Sequence, residues 1–470
     1  MKAKTKFNLK LGVLAPIVLA LVMVLWLLPA DSFGIEGLTV VQQRTIAIFC
    51  YAALMWMFEI IPAWATSVTT VVFLLLAVSD QGFTTESCGA LVEYRLLMAS
   101  FADPVIMLFL GGFVLAIAAS KVGLDIFLAR AMLKPFGTKP KFVLLGFLIV
   151  IGTLSMFMSN TATAAMMLAF LAPVIKTLPE NGGGRTCLAM SIPIAANIGG
   201  MGTPIGTPPN SIAIGQLGQM GINIGFDTWM IRMVPIVIVM LLISWQVLMR
   251  LFPFKAKSIE IKIEGECKKD INYWTVTVTF LLTILLWMTG ELTHINANVV
   301  ALVPFAVFAF TGIFKRADFA KVDWHVLWMV AGGFALGTAL NKTGLASAMV
   351  ESFPFSQWSA VAVLVIAGLL GYLLSNFIAN SSAANLLVPI LAVVGTAMAD
   401  NLAVYGGVTT LLVCVAASTS FAMLFPISTP PNAIASSTGL IKTHDMTLVG
   451  IIVGVIGLIL SYTVLLMFPF

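Results

Sequence analysis

The sequence predicts an all-α polytopic membrane protein of about eleven transmembrane helices in two inverted repeats. Two observations carry that prediction. Of 470 residues, 60% are hydrophobic and only 10% charged, and apolar runs recur along the whole length. Such runs reach the ~20 residues needed to cross a bilayer. The second observation is a duplication. "GGFVLAIAASKVGL" from Gly111 returns as "GGFALGTALNKTGL" from Gly332, and "SMFMSNTATAAMML" from Ser155 as "SNFIANSSAANLLV" from Ser375. "PIGTPPNSIA" from Pro204 returns as "PISTPPNAIA" from Pro426. The offsets are 221, 220 and 222 residues, in one order. This is a repeat and not chance similarity.

Charge orients the elements, because Lys and Arg in short loops stay on the cytoplasmic side. Four lysines in "MKAKTKFNLK" place the N-terminus inside. A span at 11–29 exits to Asp31 and Glu36; it has spanning length and no cleavage site. Spans at roughly 45–61 and 63–79 flank "EIIPAW" and lead to the acid-richer stretch 80–103. A span near 104–120 returns to Lys121, Arg130, Lys134, Lys139 and Lys141. Apolar blocks near 186–222 and 231–252 end at "RLFPFKAKSIEIKIEGECKKD", the most polar stretch of the chain. In the second half Lys315, Arg316, Lys321 and Lys442 lie inside, which leaves the C-terminus outside. The organisation expected is an N-terminal segment with the first span (1–44), a first repeat (45–252), a cytoplasmic linker (253–270) and a second repeat (271–470). The two "GGF" spans then cross in opposite senses, so the repeats are inverted, as in secondary transporters that bind substrate where the repeats meet. The five scattered cysteines, Cys50, Cys88, Cys187, Cys267 and Cys414, form no metal spacing and no disulfide framework.

Each repeat is interrupted twice. One interruption is a hydroxyl and carboxamide cluster: Ser155, Ser159, Asn160 and Thr161, then Ser375, Asn380, Ser381 and Ser382. The other is a Pro-Pro-Asn turn, Pro208–Asn210 and Pro430–Asn432. Paired prolines end a regular helix, and backbone freed at membrane depth must line a cavity or find new partners. Freed carbonyls with hydroxyl and carboxamide oxygens suit a small cation such as Na⁺. Helix N-termini at the same breaks suit an anion. An isolated Ser-Asn-Thr reads as helix packing; its duplication, each time with a Pro-Pro-Asn turn, points to a site. Gly111-Gly112 and Gly332-Gly333 read as close-packing positions, Pro62 and Pro173 as kinks, and His294, His325 and His444 as span-end residues. Nearly every Lys and Arg falls in a loop or at a span end, and the acidic exception, Glu59, lies near a break. A proton relay would need ionisable groups within the spans, so sodium is the expected coupling ion. No protease, hydrolase or phosphate-loop pattern appears, so an enzyme is not expected.

With "EIIPAWATS", "IMLFLGGFVLA", "MSNTATAAMML", "GTPPN", "NLLVPI" and "STPPNAIA", the chain resembles the divalent anion/sodium symporter family, the INDY-type di- and tricarboxylate carriers, over most of its length. The resemblance implies a re-entrant helical hairpin and an unwound helix in each repeat, and a homodimer whose scaffold carries a moving transport domain. It implies substrate contacts at Ser159, Asn160 and Thr161, at Asn380 and Ser381, and at Thr207, Thr429 and Pro430. It implies sodium sites at Ser155, Ser159, Asn160 and Gly206 in one half, and at Ser375, Asn380 and Ser428 in the other. The expected substrate is a C4 dicarboxylate (succinate, malate or fumarate) imported with sodium by an elevator motion across a bacterial inner membrane. A tricarboxylate or sulfate carrier, an exchanger and an anion channel are the alternatives. One departure stands out: where the family pattern has a second Ser-Asn-Thr, this chain has Ala379-Asn380-Ser381.

Overall fold

Apolar runs in a bilayer must satisfy their own backbone, so helices are the form they take. The computed structural model describes residues 10–180, 182–259, 269–352 and 355–470. The first nine residues, with three of the four N-terminal lysines, lie outside the described residues, as do Cys267 and half of the proposed linker, 260–268. Among the described residues the regular structure is helical, apart from one isolated bridge between Ser79 and Val92. Seven helices among the described residues are long and apolar enough to cross a membrane: Tyr94–Lys121, Pro140–Phe157, Phe226–Leu251, Ile271–Met288, Ala360–Phe377, Asn380–Ala397 and Thr443–Met467. An eighth results if Ala399–Tyr405 and Gly407–Ser420, bent by 67°, make one span. Shorter apolar helices stand at Leu11–Leu27, Ala63–Ala77 and Ala297–Phe310. The chain is therefore an integral, multi-pass membrane protein.

Local chemistry fixes the helix ends. Thr39 and Gln42 form a reciprocal capping box, and the Asp103 carboxylate accepts from the Val105 N–H ahead of Pro104. Pro62 precedes the first residue of Ala63–Ala77, so it marks a boundary and not a kink inside a helix, while Pro173 does sit inside one. Glu59 ends its helix in the left-handed region at φ 45°.

The packing exchanges elements between the halves. Gly184–Gly200 packs on Pro140–Phe157 and Asn160–Thr177, and Gly407–Ser420 packs likewise on Ala360–Phe377 and Asn380–Ala397. The short helices after the Pro-Pro-Asn turns cross over: Pro208–Gln219 lies on Asn380–Ala397, and Pro430–Ser436 on Asn160–Thr177. The glycine pairs do the work expected of them. A Cβ at Gly111 would collide with the Ala301 carbonyl, and one at Gly332 with the Ser67 side chain. There the Met329 carbonyl accepts from both Ser67 Oγ and Asn385 Nδ2, each at 3.1 Å; such interhelical bonds contribute roughly 0.6 kcal/mol each in a membrane. In the loop after Phe314, buried Asp318 holds Lys121 at 2.6 Å and Lys321 at 3.0 Å. Burial alone would raise the Asp318 carboxyl, but the Lys121 ammonium, the Lys315 N–H and Lys321 outweigh it and hold it well below the usual carboxylate range. This clasp ties a first-half helix end to a second-half loop.

Candidate functional site

The helix Pro140–Phe157 stops at Met158, which is extended at φ −126° and ψ 159°. Ser159 then caps the next helix, its Oγ accepting from the Ala162 N–H at 3.2 Å. Asn160 is the first residue of that helix. The second half repeats the backbone: Ile378 is extended at φ −126° and ψ 165°, and Asn380 opens the following helix. Ala379 stands at the cap without a side chain that can accept.

Behind each asparagine lies a serine. Ser155 Oγ is 2.5 Å from the Asn160 carboxamide and 2.8 Å from the Ala196 carbonyl. Ser375 Oγ lies 2.8 Å from both Asn380 Oδ1 and the Thr419 carbonyl, its single proton shared between the two. In the first half the same carboxamide atom also faces the Ala196 and Gly206 carbonyls at 3.1 Å each. With the NH₂ turned inward, both carbonyls are satisfied. With the oxygen turned inward, oxygens of Ser155, Asn160, Ala196 and Gly206 converge, an arrangement that a cation would stabilise. Among the described residues no group of three or more His, Cys, Asp or Glu gathers to hold a metal. A cation at this site would therefore rest on neutral oxygens, which suits a monovalent ion.

In the first half the unwound segment and the helix end before it press close to Asn160. A Cβ at Gly200 would collide with the Asn160 carboxamide, and one at Gly206 with the Gly200 carbonyl. Asn210 Nδ2 donates to the carbonyls of Gly200, Met201 and Thr203 at 2.8–3.3 Å, and Asn432 Nδ2 to those of Met423 and Phe425 at 3.0 Å. In the second half Ser428 replaces Gly206; its Oγ donates to the Asn376 carbonyl at 2.8 Å and accepts from the Phe425 N–H.

The structure thus brings Ser155, Asn160 and Gly206 into one cradle, with Ser159 capping the helix beside it, and Ser375 against Asn380, with Ser428 bonded to Asn376 next door. Thr161 and Pro430 are exposed, Ser159, Asn160, Asn380 and Ser381 half-buried, and Thr207 and Thr429 buried. The two halves meet at Asn197, which sequence reasoning missed: its Nδ2 donates to Thr429 Oγ1 and to Asn432 Oδ1, both at 3.1 Å. Its signal was weak, a single carboxamide in the otherwise apolar run "IPIAANIGG". A cleft of about 870 Å³, lined by His294, Glu291, Asp227 and Gln219, reaches Pro204 in the first unwound segment.

Residues 53–406 match the citrate-transporter (CitMHS) family. A sodium-dependent dicarboxylate transporter of Staphylococcus aureus is 30% identical over 498 residues, covering 98% of this chain and 92% of that protein. One from Staphylococcus saprophyticus is 29% identical, covering 94% of this chain and 88% of its own length. A sodium-dependent high-affinity dicarboxylate transporter of Caenorhabditis elegans is 29% identical, covering 89% and 81%.

Proposed function

The chain belongs to the citrate-transporter family, among the divalent anion/sodium symporters, and from that premise we propose that it imports C4 dicarboxylates by sodium symport. Family and relatives alike are transporters, so the protein is a transporter and not an enzyme. The relatives' dependence on sodium supports Na⁺ as the coupling ion. The observation that carries the reading is the twinned serine–asparagine cradle, at 2.5 Å in one half and 2.8 Å in the other, with a helix starting at each asparagine.

The chemistry follows from those groups. A dicarboxylate brings two negative charges to a site with no cationic side chain among its named residues. Burying them unpaired costs many kcal/mol. Sodium held by Ser155, Ser159, Asn160 and Gly206, and by Ser375, Asn380 and Ser428, would neutralise the dianion. Hydroxyls of Ser159, Thr161, Thr207, Ser381 and Thr429, the two asparagine amides and the helix N-termini would then hold the carboxylates, with Pro430 at the rim. The family's description names citrate, which makes a tricarboxylate the second reading.

The same reading includes the finer architecture: about eleven spans, inverted repeats at 45–252 and 271–470, and re-entrant hairpins at Pro140–Thr177 and Ala360–Ala397. It also includes a bacterial inner membrane, an N-terminus inside, a C-terminus outside, and a homodimer working as an elevator. The matched breaks and the crossed packing of the Pro-Pro-Asn helices support it. The test is uptake of labelled succinate by the purified protein in liposomes. Uptake should follow an inward sodium gradient and stop when choline replaces sodium; uptake that ignores sodium but needs internal dicarboxylate would make the protein an exchanger.

A further inference from the structure

The two Pro-Pro-Asn turns share a backbone but not a state of saturation. Thr207 (φ −145°, ψ 142°) and Thr429 (φ −141°, ψ 151°) precede their prolines in one conformation. Each turn's asparagine is pinned by its NH₂ to carbonyls of the unwound segment, so the orientation of both amides is fixed and each Oδ1 points away from that segment. In the second half that oxygen has a donor. Asn197 Nδ2 lies 3.1 Å from both Asn432 Oδ1 and Thr429 Oγ1, so the two oxygens converge on one point, filled by an amide of the protein itself.

The first half lacks that amide. Asn210 is fully buried, yet its Oδ1 has no hydrogen-bond partner. The Thr207 hydroxyl caps no backbone N–H, whereas Thr429 Oγ1 accepts from the Asn432 N–H at 3.2 Å. The counterpart of Asn197 is found from the hydrogen-bond register: Ser155 donates to the carbonyl of Ala196, and Ser375 to that of Thr419. Asn197 follows Ala196 and Ser420 follows Thr419, so Ser420 holds the equivalent place. Its hydroxyl turns back and donates to the Ala416 carbonyl of its own helix at 2.9 Å, as does that of Thr419. A buried carboxamide oxygen without a donor is destabilising by roughly 1–3 kcal/mol unless something fills the place.

We propose that the first-half turn binds a monovalent cation of sodium's kind on Asn210 Oδ1 and Thr207 Oγ1, at the point the second half fills with the Asn197 amide. Neither oxygen is among those that line the cradle around Asn160. It takes a cation because both groups present oxygen, and a monovalent one because neither carries charge. The proposal rests on the sodium-symport reading for its role, since an ion there would add one sodium to each cycle, but its binding can be measured alone.

The experiment counts sodium-22 bound per chain at saturation by the purified full-length protein without substrate. Ser420→Asn places an amide where Asn197 sits in the other half, and Thr207→Val removes the hydroxyl while keeping the shape. Each should lower the count by one ion per chain, and the sodium-to-succinate ratio read from reversal potentials should fall by one in the variant that still transports. Should Ser420→Asn fail to fold, the count on Thr207→Val decides. An unchanged count in the folded variants, or no sodium bound by the wild type, overturns the proposal; the unchanged count would mean that water alone meets these oxygens. Loss of sodium-driven uptake in the wild type, with the count still falling in the variants, would instead sink the symport reading and leave the site standing.

Discussion

The first half unwinds over residues 201–206 (MGTPIG), with two glycines there and two more, Gly199 and Gly200, ending the helix before it; the second half unwinds over residues 421–428 (FAMLFPIS), with no glycine. Both follow a buried helix and lead into a Pro-Pro-Asn turn, yet they solve the same problem differently. The first lets bare backbone close on Asn160, with Gly200 too near it for a methyl group. The second carries side chains there, and its Ser428 hydroxyl donates to the Asn376 carbonyl at the end of the neighbouring helix. The first half thus leaves a buried oxygen, Asn210 Oδ1, without a donor, where the second bonds Asn432 Oδ1 to the Asn197 amide. Duplicated sequence preserved the breaks; divergence decided how many polar groups at each break remain free.

The strongest way to break this comparison is at the asparagines, which both halves share. Asn160→Ala or Asn380→Ala removes an oxygen for a cation and an NH₂ for an anion. Hydrogen bonds to charged groups contribute roughly 1.5–3 kcal/mol each, so losing two should cut succinate uptake by about 100-fold or more. Size-exclusion chromatography should still show folded protein; near-normal uptake by both variants would remove the site. Next comes Gly200→Ala, whose methyl collides with the Asn160 carboxamide. It should lower uptake about tenfold or more, since overpacking costs roughly 1–3 kcal/mol. A near-normal rate would show that the glycine-lined approach is dispensable.

Two smaller changes make the halves more alike. Ser428→Gly gives the second turn the first half's residue and deletes two hydrogen bonds, from the Phe425 N–H and to the Asn376 carbonyl. The loss should be about 1–3 kcal/mol, read as a lower unfolding midpoint in detergent. Ala379→Ser restores the missing cap at a helix start, an addition of about 1 kcal/mol. It should raise the midpoint slightly and change succinate affinity less than about tenfold, by the same arithmetic; a larger change would assign the substrate contact to that position.

Much of this was legible in the sequence. The breaks at Met158 and Ile378 follow from a hydroxyl and carboxamide cluster inside an apolar run. Those before Pro208 and Pro430 follow from paired prolines, and the close packing at Gly111 and Gly332 from the glycines themselves. What sequence could not give depends on register across space. Asn197 is an unremarked carboxamide until a second-half threonine and asparagine are found 3.1 Å away. The Ala196 and Thr419 carbonyls behind the asparagines leave no side-chain signal at all. The crossed packing of Pro208–Gln219 and Pro430–Ser436 needs the two halves folded together.

A single titration reaches the centre of the account, which is that cation and anion share one cradle. Succinate binding to the purified protein is measured at several sodium concentrations, with choline holding ionic strength constant. If sodium completes the pocket around Asn160 and Asn380, the apparent Kd must fall as sodium rises, and by linkage succinate must tighten sodium binding by the same factor. An apparent Kd that stays the same from choline to saturating sodium would contradict the coupling and leave exchange as the better account.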